Sequence, residues 1–554
     1  MNQKPILILM TATFVASLTN LAFANSEYEQ WLRKTQDTFQ EYKDKRDKEF
    51  TSFLKKQWKE MYLQPEIKKD TTPKPRKAPV LKAPAKIEVK KKAEQVIVHV
   101  PEFKPPQVVK PEPQPVITAK AKPKPKPKPV SEPGIPDFKK PVEIAIPEPM
   151  AKPVAPVESK KEPVISKTEP EIFIPPVTVA KKPASKLPQG QIINVSFFGS
   201  ELSFSYDPKM KIRTSSRIDK NMISNFWSNL SRTNYELLQK QFNEQREPLA
   251  LNDWGYVLLV NKVARAVYPR NPDAASMFTW FFLTKEGYKA RIAYDSQGII
   301  LLLPSKQVIK QSHFTFAGIR YYPLNLENGT SLKTSRVKTY DGEYPGANSR
   351  LNMQILHDLH TGRKAENRTL KFTYRGKKYS VKVNYDSNTV NFLNTYPAMD
   401  YDTYFDSQVS QQTGHPLLVQ LGKIIDGKSE EEAVNILLRF TQTAFKYKDD
   451  ISQFGSENYL FPEETLHYPY SDCEDRVFMF AWLVKNLTGL KVVGLKYPGH
   501  FSAAVKFHEN ISGQSVSYQG QKYMMTEPTY KGGRVGQAPP QNKKARPVIA
   551  AITG

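Results

Sequence analysis

Apolar residues recur at spacings of three or four along residues 26–64, with charged residues between them. The apolar positions are Tyr28, Trp31, Leu32, Phe39, Tyr42, Phe50, Phe53, Leu54, Trp58 and Met61. This spacing places apolar side chains on one face of a helix, and Pro65 cannot continue a helix. The pattern therefore predicts an amphipathic helix over residues 25–64. Its apolar face requires a cover, so we expect docking on the globular domain or self-association, with a membrane surface as the alternative.

Residues 65–189 show no such periodicity. Residues 71–190 contain 27 of the chain's 45 prolines, and residues 122–130 read KPKPKPKPV. Alternating proline and lysine favours extended, solvated conformations and cannot bury a core. The composition predicts a disordered Pro/Lys-rich linker over 65–189, of the kind that reaches across a periplasm.

The first residues predict where the chain goes. Lys4 precedes an apolar run from Ile6 to Phe23, and Ala22-Phe23-Ala24 fits a small-x-small cleavage pattern. These features are typical of a secretory signal peptide over residues 1–24. Since the run is about 18 residues long, an uncleaved membrane anchor is the alternative. We expect an exported protein of the periplasm or cell envelope.

Charge and cysteine content limit the partners and the covalent structure. The net charge is +26, and residues 71–190 carry 24 Lys and Arg against 12 Asp and Glu. Such a balance suggests acidic envelope surfaces as partners, whereas nucleic acid is not expected because no nucleic-acid motif accompanies the charge. The chain has a single cysteine, so no internal disulfide can form.

Two segments of the globular region resemble each other. Residues 277–294 read MFTWFFLTKEGYKARIAY, and residues 479–497 read MFAWLVKNLTGLKVVGLKY. With a single-residue gap, Met, Phe, Trp, Gly, Lys and Tyr coincide, and each segment predicts a helix ending near glycine and then a strand. We therefore predict a duplication, with copies at 190–329 and 401–540; chance similarity of two helices is the alternative.

Residues 330–400, between the two segments, predict β structure. Leu370 to Tyr374 and Tyr379 to Tyr385 flank a short turn and predict a hairpin. Residues 386–388 predict a second turn before 389–393. Farther on, a helix is expected around 430–445, with three glutamates in its first turn, and 449–470 is expected to be a loop.

The single cysteine, Cys473, lies where a helix is expected to begin. Ser471 or Asp472 can cap that helix, and apolar residues follow with helical spacing. A helix N-terminus lowers a thiol pKa, although the neighbouring Glu474 opposes this effect. The cysteine is therefore either an inert buried residue or a nucleophile that requires a basic partner.

His500 and Glu527 are the candidate partners of this thiol. His500 follows the turn Tyr497-Pro498-Gly499 and begins a strand-like run, and Glu527 ends the next one. A carboxylate there can bond the far ring nitrogen of the histidine and orient it towards a thiol. The alternatives are a structural histidine and a solvated glutamate.

The motifs CEDR, YPGHFSAAV and TEPTY, in this order over residues 430–536, resemble the transglutaminase-like superfamily of bacterial cysteine peptidases. The resemblance implies an α+β fold with a papain-like core, in which a helix bearing the nucleophile packs on an antiparallel sheet. It also implies roles: Cys473 as nucleophile, His500 as general base and acid, and Glu527, where the family usually has Asp, as the orienting acid.

The repeat aligns these three residues with Asn271, Gln297 and a position near Asn325, so the first copy is expected to be degenerate. The function expected is cleavage of an amide bond in a protein or cell-wall peptide, with no cofactor and no metal. The alternatives are amide cross-linking and a non-catalytic envelope scaffold. A weaker motif is the pair His357 and His360, one helical turn apart, which lacks the further ligands of a metal site.

Overall fold

The computed structural model describes residues 30–35, 37–56, 58–66, 74–75, 95–97, 190–360, 362–538 and 546–553. The predicted signal peptide and most of the predicted linker lie outside these residues. The described chain mixes helices with antiparallel sheets, which confirms the expected α+β class. Among the described helices, none combines the length and the apolar character needed to cross a membrane.

The helices in chain order are α1 (30–35 and 37–54), α2 (Lys220–Leu230), α3 (Tyr235–Arg246), α4 (Asp253–Val267), α5 (Pro272–Lys285), α6 (Ser387–Leu393), α7 (Tyr401–Phe405), α8 (Gln411–Ile425), α9 (Glu430–Ala444), α10 (Asp450–Phe454), α11 (Pro462–His467) and α12 (Cys473–Thr488).

The strands are β1 (Lys59–Tyr62), β2 (Gln95–Ile97), β3 (Gln191–Phe197), β4 (Ser200–Tyr206), β5 (Arg291–Tyr294), β6 (Ile299–Leu303), β7 (Phe314–Phe316), β8 (Ile319–Pro323), β9 (Arg336–Thr339), β10 (Ala365–Tyr374), β11 (Lys377–Asp386), β12 (Lys446–Tyr447), β13 (Tyr470–Ser471), β14 (Lys491–Tyr497), β15 (His500–Lys506), β16 (Ser515–Tyr518), β17 (Gln521–Thr526) and β18 (Val548–Ile552).

Two six-stranded sheets dominate the fold, in the orders β1-β9-β5-β6-β8-β7 and β18-β14-β15-β17-β16-β2. In each sheet, two consecutive strands pair with each other: β5 with β6, and β14 with β15. The second of the two also pairs with the last strand of the hairpin that follows, which is β8 or β17. The first of the two also pairs with a later strand, which is β9 or β18. We name α4, α5 and β5–β9 the first unit, and α9, α12 and β14–β18 the second unit. The two units therefore have the same order of connections.

A helix packs on the sheet of each unit at the same place. In the first unit α5 lies against β5 and β6, and in the second α12 lies against β14 and β15. Trp280 and Trp482, the tryptophans of the shared sequence motif, are both buried on these helices. One hydrophobic core runs through both units, and the outer face of each sheet carries a smaller apolar cluster.

The N-terminal helix packs on the first unit by its C-terminal end. Phe50 and Leu54 are buried, and the Phe50 ring lies 6.1 Å from that of Trp280 on α5, as well as 4.7 Å from that of Trp227 and 5.2 Å from that of Tyr344. The expected helix to residue 64 is wrong at its end, because residues 59–62 form β1 and pair with β9. The backbone N–H and C=O groups of these residues form hydrogen bonds with the edge strand β9, which stabilises them better than another exposed turn of helix would.

Two short stretches of the predicted linker belong to the ordered structure. Residues 95–97 form β2 and pair with β16, and Lys74 makes ion pairs with side chains of the second unit. The linker prediction therefore differs from the structure at these positions. The composition of a segment indicates only how the segment as a whole interacts with water. A few residues within it can therefore still bind to specific partners.

The hairpin between the units follows its prediction. Strands β10 and β11 are joined by Arg375 and Gly376, whose φ angles of 47° and 79° are those of a two-residue turn that matches strand twist. Residues 389–393, expected to follow a turn, instead lie in α6. Asp386 begins this helix by accepting a hydrogen bond from the backbone N–H of Asn388.

Candidate active site

Cys473 occupies the first turn of α12, as the sequence predicts. Asp472 is the N-cap residue, and the carboxylate of Asp475 accepts hydrogen bonds from the backbone N–H groups of Asp472 at 3.1 Å and Leu460 at 2.9 Å. These bonds satisfy donors that would otherwise be unpaired at the helix start. They fix the thiol at the buried end of a helix that packs on the second sheet.

A tight turn places His500 at the start of β15. Residues Pro498 and Gly499 connect Tyr497 to His500, which face each other across β14 and β15, and Gly499 has a φ of 64°. Proline followed by a residue of positive φ is the pattern of a type II turn. The short turn thus holds the imidazole at the strand end, beside the N-terminus of α12.

Glu527 follows β17 and bonds directly to this imidazole. The Oε2 of Glu527 lies 2.9 Å from Nε2 of His500, and both side chains are buried. Burial opposes the charged ring, but the adjacent carboxylate outweighs it and raises the pKa of His500 above its ordinary value. Glu527 also accepts a hydrogen bond at 3.1 Å from the backbone N–H of Thr529, which fixes its orientation.

The second ring nitrogen of His500 is available for chemistry. Among the described residues, Nδ1 of His500 is buried and has no hydrogen-bond partner. The Tyr530 ring lies 5.4 Å from the imidazole, and after burial the charges of Glu527 and Cys473 raise its pKa further. Tyr530 thus packs against the imidazole, and the pKa of its hydroxyl responds to both the carboxylate and the thiol.

The thiol of Cys473 points towards Glu474 and not towards His500. Sγ of Cys473 donates a hydrogen bond to Oε2 of Glu474 at 2.8 Å. Burial, followed by the charges of Glu474 and Asp472, raises the pKa of the Cys473 thiol well above its ordinary value. The structure thus joins His500 to Glu527 but holds Cys473 as a neutral thiol, without a hydrogen bond to the imidazole.

Four carboxylates near the thiol surround the ammonium group of Lys74. We call Asp450, Glu457, Asp472 and Glu474 the acidic cluster. The Nζ of Lys74 lies 2.6 Å from Oδ2 of Asp472, 2.6 Å from Oε1 of Glu457, 2.9 Å from Oε2 of Glu474 and 3.4 Å from Oδ2 of Asp450. Sequence reasoning missed this cluster, although acidic residues at the start of a buried helix were a signal. Nothing in the local sequence distinguishes Lys74 from the other lysines of its segment.

Two members of this cluster, Asp450 and Asp472, have raised pKa values, and Lys74 keeps its charge. Burial raises the pKa of Asp472 to about 6 and that of Asp450 well above its ordinary value. Burial opposes the charge of Lys74, but Glu474 and Asp472 outweigh it, so the pKa of Lys74 is raised well above its ordinary value. The lysine is therefore held as an ammonium ion.

A tyrosine hydroxyl lies near the thiol without a partner. Among the described residues, the Oη of Tyr447 is buried and makes no hydrogen bond. Burial raises the pKa of Tyr447, and the charge of Cys473 raises it further. Tyr447 thus has a buried hydroxyl whose pKa responds to the thiol, a feature that the sequence analysis did not identify.

The first unit contributes a lysine to the wall of this region. Lys310, in the loop between β6 and β7, lies over the Tyr401 ring at 3.3 Å from its centre and forms an ion pair with Asp400 at 3.4 Å. The hydroxyl groups of Tyr401 and Tyr459 lie 3.4 Å apart, and the Tyr459 ring lies between Lys310 and Lys74.

The first unit has apolar residues where the second has its histidine and glutamate. Tyr294 faces Ile299 across β5 and β6 as Tyr497 faces His500, and Leu324 follows β8 as Glu527 follows β17. The structural counterpart of His500 is therefore Ile299. The sequence alignment had given Gln297, which lies in a turn that is two residues longer than its counterpart. Asn271, the counterpart expected for Cys473, caps α5.

The two histidines of the weaker motif are not one helical turn apart. His357 and His360 lie on an irregular segment, and not on a helix. In the described part of the chain, two groups place potential ligand atoms within 4.8 Å of one another: Asp472 with Cys473 and Glu474, and Asp450 with Asp472 and Asp475. The ammonium of Lys74 already contacts Asp450, Asp472 and Glu474 in these groups.

The sequence matches no protein-family model and no curated protein.

Proposed function

We propose that the chain is a transglutaminase-like cysteine hydrolase with a papain-like core, which cleaves an amide bond in a protein or cell-wall peptide. Cys473 is the nucleophile, His500 the general base and acid, and Glu527 the orienting acid. One observation carries the proposal: a buried His500–Glu527 pair at 2.9 Å leaves Nδ1 without a partner, near the helix start that bears the only cysteine.

The reaction begins when the thiol turns from Glu474 towards Nδ1 of His500. The imidazole accepts the thiol proton, and the thiolate attacks the amide carbonyl. As the C–N bond breaks, His500 returns the proton to the leaving amine and a thioester remains. Water, deprotonated by His500, then attacks the thioester. This step releases a carboxylic acid and restores the thiol, so that one amide and one water yield one acid and one amine.

Tyr447 fits the role of a donor to the developing oxyanion. Its hydroxyl is buried, unpartnered among the described residues and close enough to Cys473 to respond to the thiolate charge. A preorganised donor in a water-poor site stabilises negative charge on a carbonyl oxygen at the moment it forms. Backbone N–H groups in the first turn of α12 are the complementary donors.

The charge state of Lys74 favours hydrolysis over cross-linking. Cross-linking requires an amine with a free electron pair to attack the thioester. An amine held in the acidic cluster keeps its proton, because Glu474 and Asp472 raise the pKa of Lys74 despite its burial. Water is then the better acceptor.

Two further proposals follow from the architecture and from the N-terminal sequence. The shared strand order of the two units supports a duplication in which the first unit is a degenerate copy. The apolar N-terminal run supports export to the periplasm or cell envelope, where a protein or wall peptide is available.

Thiol labelling tests the proposed function. Since Cys473 is the only cysteine, alkylation by iodoacetamide can be followed as one mass addition to the intact protein. We expect the wild-type labelling rate to show an inflection at the pKa of His500, and His500→Ala to lose this inflection and all amide hydrolysis.

The variant Ile299→Ala, which changes the corresponding position of the first unit, serves as the matched control and should retain the inflection. Identical pH profiles for the wild type and His500→Ala would show that the histidine does not act on the thiol. The chain would then be better described as a non-catalytic envelope scaffold.

A further inference from the structure

The most unusual contact of the molecule joins Lys74 to residues more than 370 positions farther along the chain. Its side chain is 12% exposed, and its ammonium contacts all four members of the acidic cluster. The Tyr459 ring lies 5.7 Å from the same nitrogen. Carboxylates with an aromatic side wall are the chemistry by which proteins bind ammonium groups.

The cluster offers more carboxyl oxygens than one ammonium can pair with. Asp450 and Asp472 are fully buried, Glu474 nearly so, and one oxygen of Asp472, Oδ1, is buried without a partner in the described residues. The nearest arginine, Arg476, donates instead to Ser471 and to the backbone carbonyls of Gln442 and Phe445. A cation stabilises buried carboxylates, so the cluster favours an ammonium whether or not that ammonium is the one of Lys74.

The cation and the nucleophile share one oxygen atom. Oε2 of Glu474 lies 2.9 Å from Nζ of Lys74 and 2.8 Å from Sγ of Cys473. Any ammonium bound here is therefore adjacent to the reacting sulfur. The ammonium of Lys74 therefore lies where the charged side chain of a bound substrate would lie.

We propose that the acidic cluster is a substrate subsite for a primary ammonium group, and that Lys74 occupies it within the chain and must leave before substrate enters. The role of this subsite in cleavage rests on the proposed function, whereas ammonium binding does not. The four carboxylates repel any ligand in which a further carboxylate is attached to the carbon that bears the amine. The ligand class is therefore a lysine-type side chain rather than the amine end of a diamino diacid.

The occupant also affects the thiol. The charge of Lys74 lowers the pKa of Cys473, in opposition to burial and to the neighbouring carboxylates. A substrate ammonium in the same place has the same effect. Ionisation of the thiol is thus coupled to occupation of the subsite by a cation.

Two thiol reagents of opposite charge test the subsite on the full chain. Aminoethyl methanethiosulfonate carries an ammonium, and sulfonatoethyl methanethiosulfonate is an anion of similar size. In Lys74→Gln we expect the aminoethyl reagent to modify Cys473 about tenfold faster than in the wild type. The sulfonate should react no faster than in the wild type, because loss of the Lys74 charge disfavours the thiolate.

Three further variants control this measurement. Lys74→Arg keeps the charge and should label as slowly as the wild type. Lys285→Gln breaks another buried ion pair between the N-terminal region and the first unit, with Asp47, and should change neither rate. Adding Asp450→Asn to Lys74→Gln should reduce the advantage of the aminoethyl reagent. Equal acceleration of both reagents, or of neither, would overturn the proposal.

Thermal melting gives a readout that does not use the thiol. Nα-acetyl-lysine methylamide should raise the melting temperature of Lys74→Gln but not that of the wild type, whose subsite is filled. The Nε-acetylated form should have no effect, and a 2,6-diamino diacid should have less effect than the lysine derivative. No shift in Lys74→Gln, an equal shift in the wild type, or an equal or larger response to the diacid would contradict the assignment.

These outcomes are separable from those of the proposed function. If His500→Ala leaves the labelling profile unchanged while the lysine derivative still stabilises Lys74→Gln, the acidic cluster is an ammonium-binding site of a non-catalytic protein. If the His500 dependence holds but no ammonium binds, only the subsite is withdrawn.

Discussion

The two helix–sheet units share a path of the chain and differ in what they place at equivalent positions. In the second unit, the turn after β14 and the end of β17 bring His500 and Glu527 together. In the first, the same two places hold the buried apolar residues Ile299 and Leu324. The comparison teaches that the same path of the chain can carry either an apolar pair or a polar pair at these two positions.

The units also differ in what covers them. The first unit packs against α1 through Phe50 and Leu54, in an aromatic core. The second unit places buried acidic residues at the start of α12, with Lys74 bound to them. Burying charged groups lowers the free energy of unfolding. Such a loss of stability is typical of a region that serves a chemical function. Four substitutions test this contrast, beginning with the largest expected effect.

Cys473→Ala should abolish amide hydrolysis, by about a thousandfold or more, because no other group can form the thioester. Its matched control is Asn271→Ala at the start of α5, which removes the cap of that helix and should cost about 1 kcal/mol of stability without loss of activity. Activity assays and denaturant unfolding of both variants measure the effects. Substantial hydrolysis by Cys473→Ala would exclude the nucleophilic mechanism.

Phe50→Ala should lower the free energy of unfolding by about 3–5 kcal/mol, because it leaves a cavity among buried aromatic rings. Phe39→Ala, on the same helix but 59% exposed at the wild-type side chain, should change stability by less than about 0.5 kcal/mol. Chemical denaturation compares the two variants. Equal effects would show that the helix does not dock through its C-terminal end.

Glu527→Gln should reduce hydrolysis about a hundredfold, because the amide no longer stabilises the imidazolium. In the wild type the folded-state pKa of His500 is raised, so its contribution to stability is complete below about pH 6.5 and is lost as the pH rises through the folded-state value. The stability advantage of the wild type over Glu527→Gln should therefore be largest at mildly acidic pH and shrink at higher pH. Unfolding measured as a function of pH tests the sign, and an advantage that grows with pH would contradict it.

Asp472→Asn should have the smallest effect, about 2 kcal/mol, since Asn, the residue type that begins α5, is also a good cap and the loss is confined to the charge paired with Lys74. Because burial raises the pKa of Asp472 to about 6, the folded state binds this proton more tightly than the unfolded state. Wild-type stability should thus fall as the pH rises from about 4 to about 6, and the variant should show a flatter slope. If the stability of the variant had the same slope with pH as that of the wild type, other carboxyl groups would be responsible for the pH dependence.

Much of the site could be predicted from local sequence. Asp472 before Cys473 and an apolar helical face indicated the start of α12, and Pro498-Gly499 indicated the turn that begins the His500 strand. These signals are readable because caps and turns depend on a few adjacent residues. The hydrogen bond between His500 and Glu527 follows from the same strand ends, once their strands lie in one sheet.

The remaining features depended on contacts between distant segments. The thiol bonds to Glu474, Lys74 fills the acidic cluster, and Tyr447 lies near the sulfur. No pattern of nearby residues indicates which of many lysines will meet a carboxylate hundreds of positions away. The replacement of the end of the predicted N-terminal helix by β1 has the same origin, since the edge of β9 that receives it lies far along the chain.

The sequence by itself determined the helix and strand periods, the turns, the single thiol and the order of its candidate partners, because these depend on local chemistry. Tertiary structure alone decided the charge around the thiol and the identity of its neighbours, because electrostatic interactions act through space between groups that folding brings together.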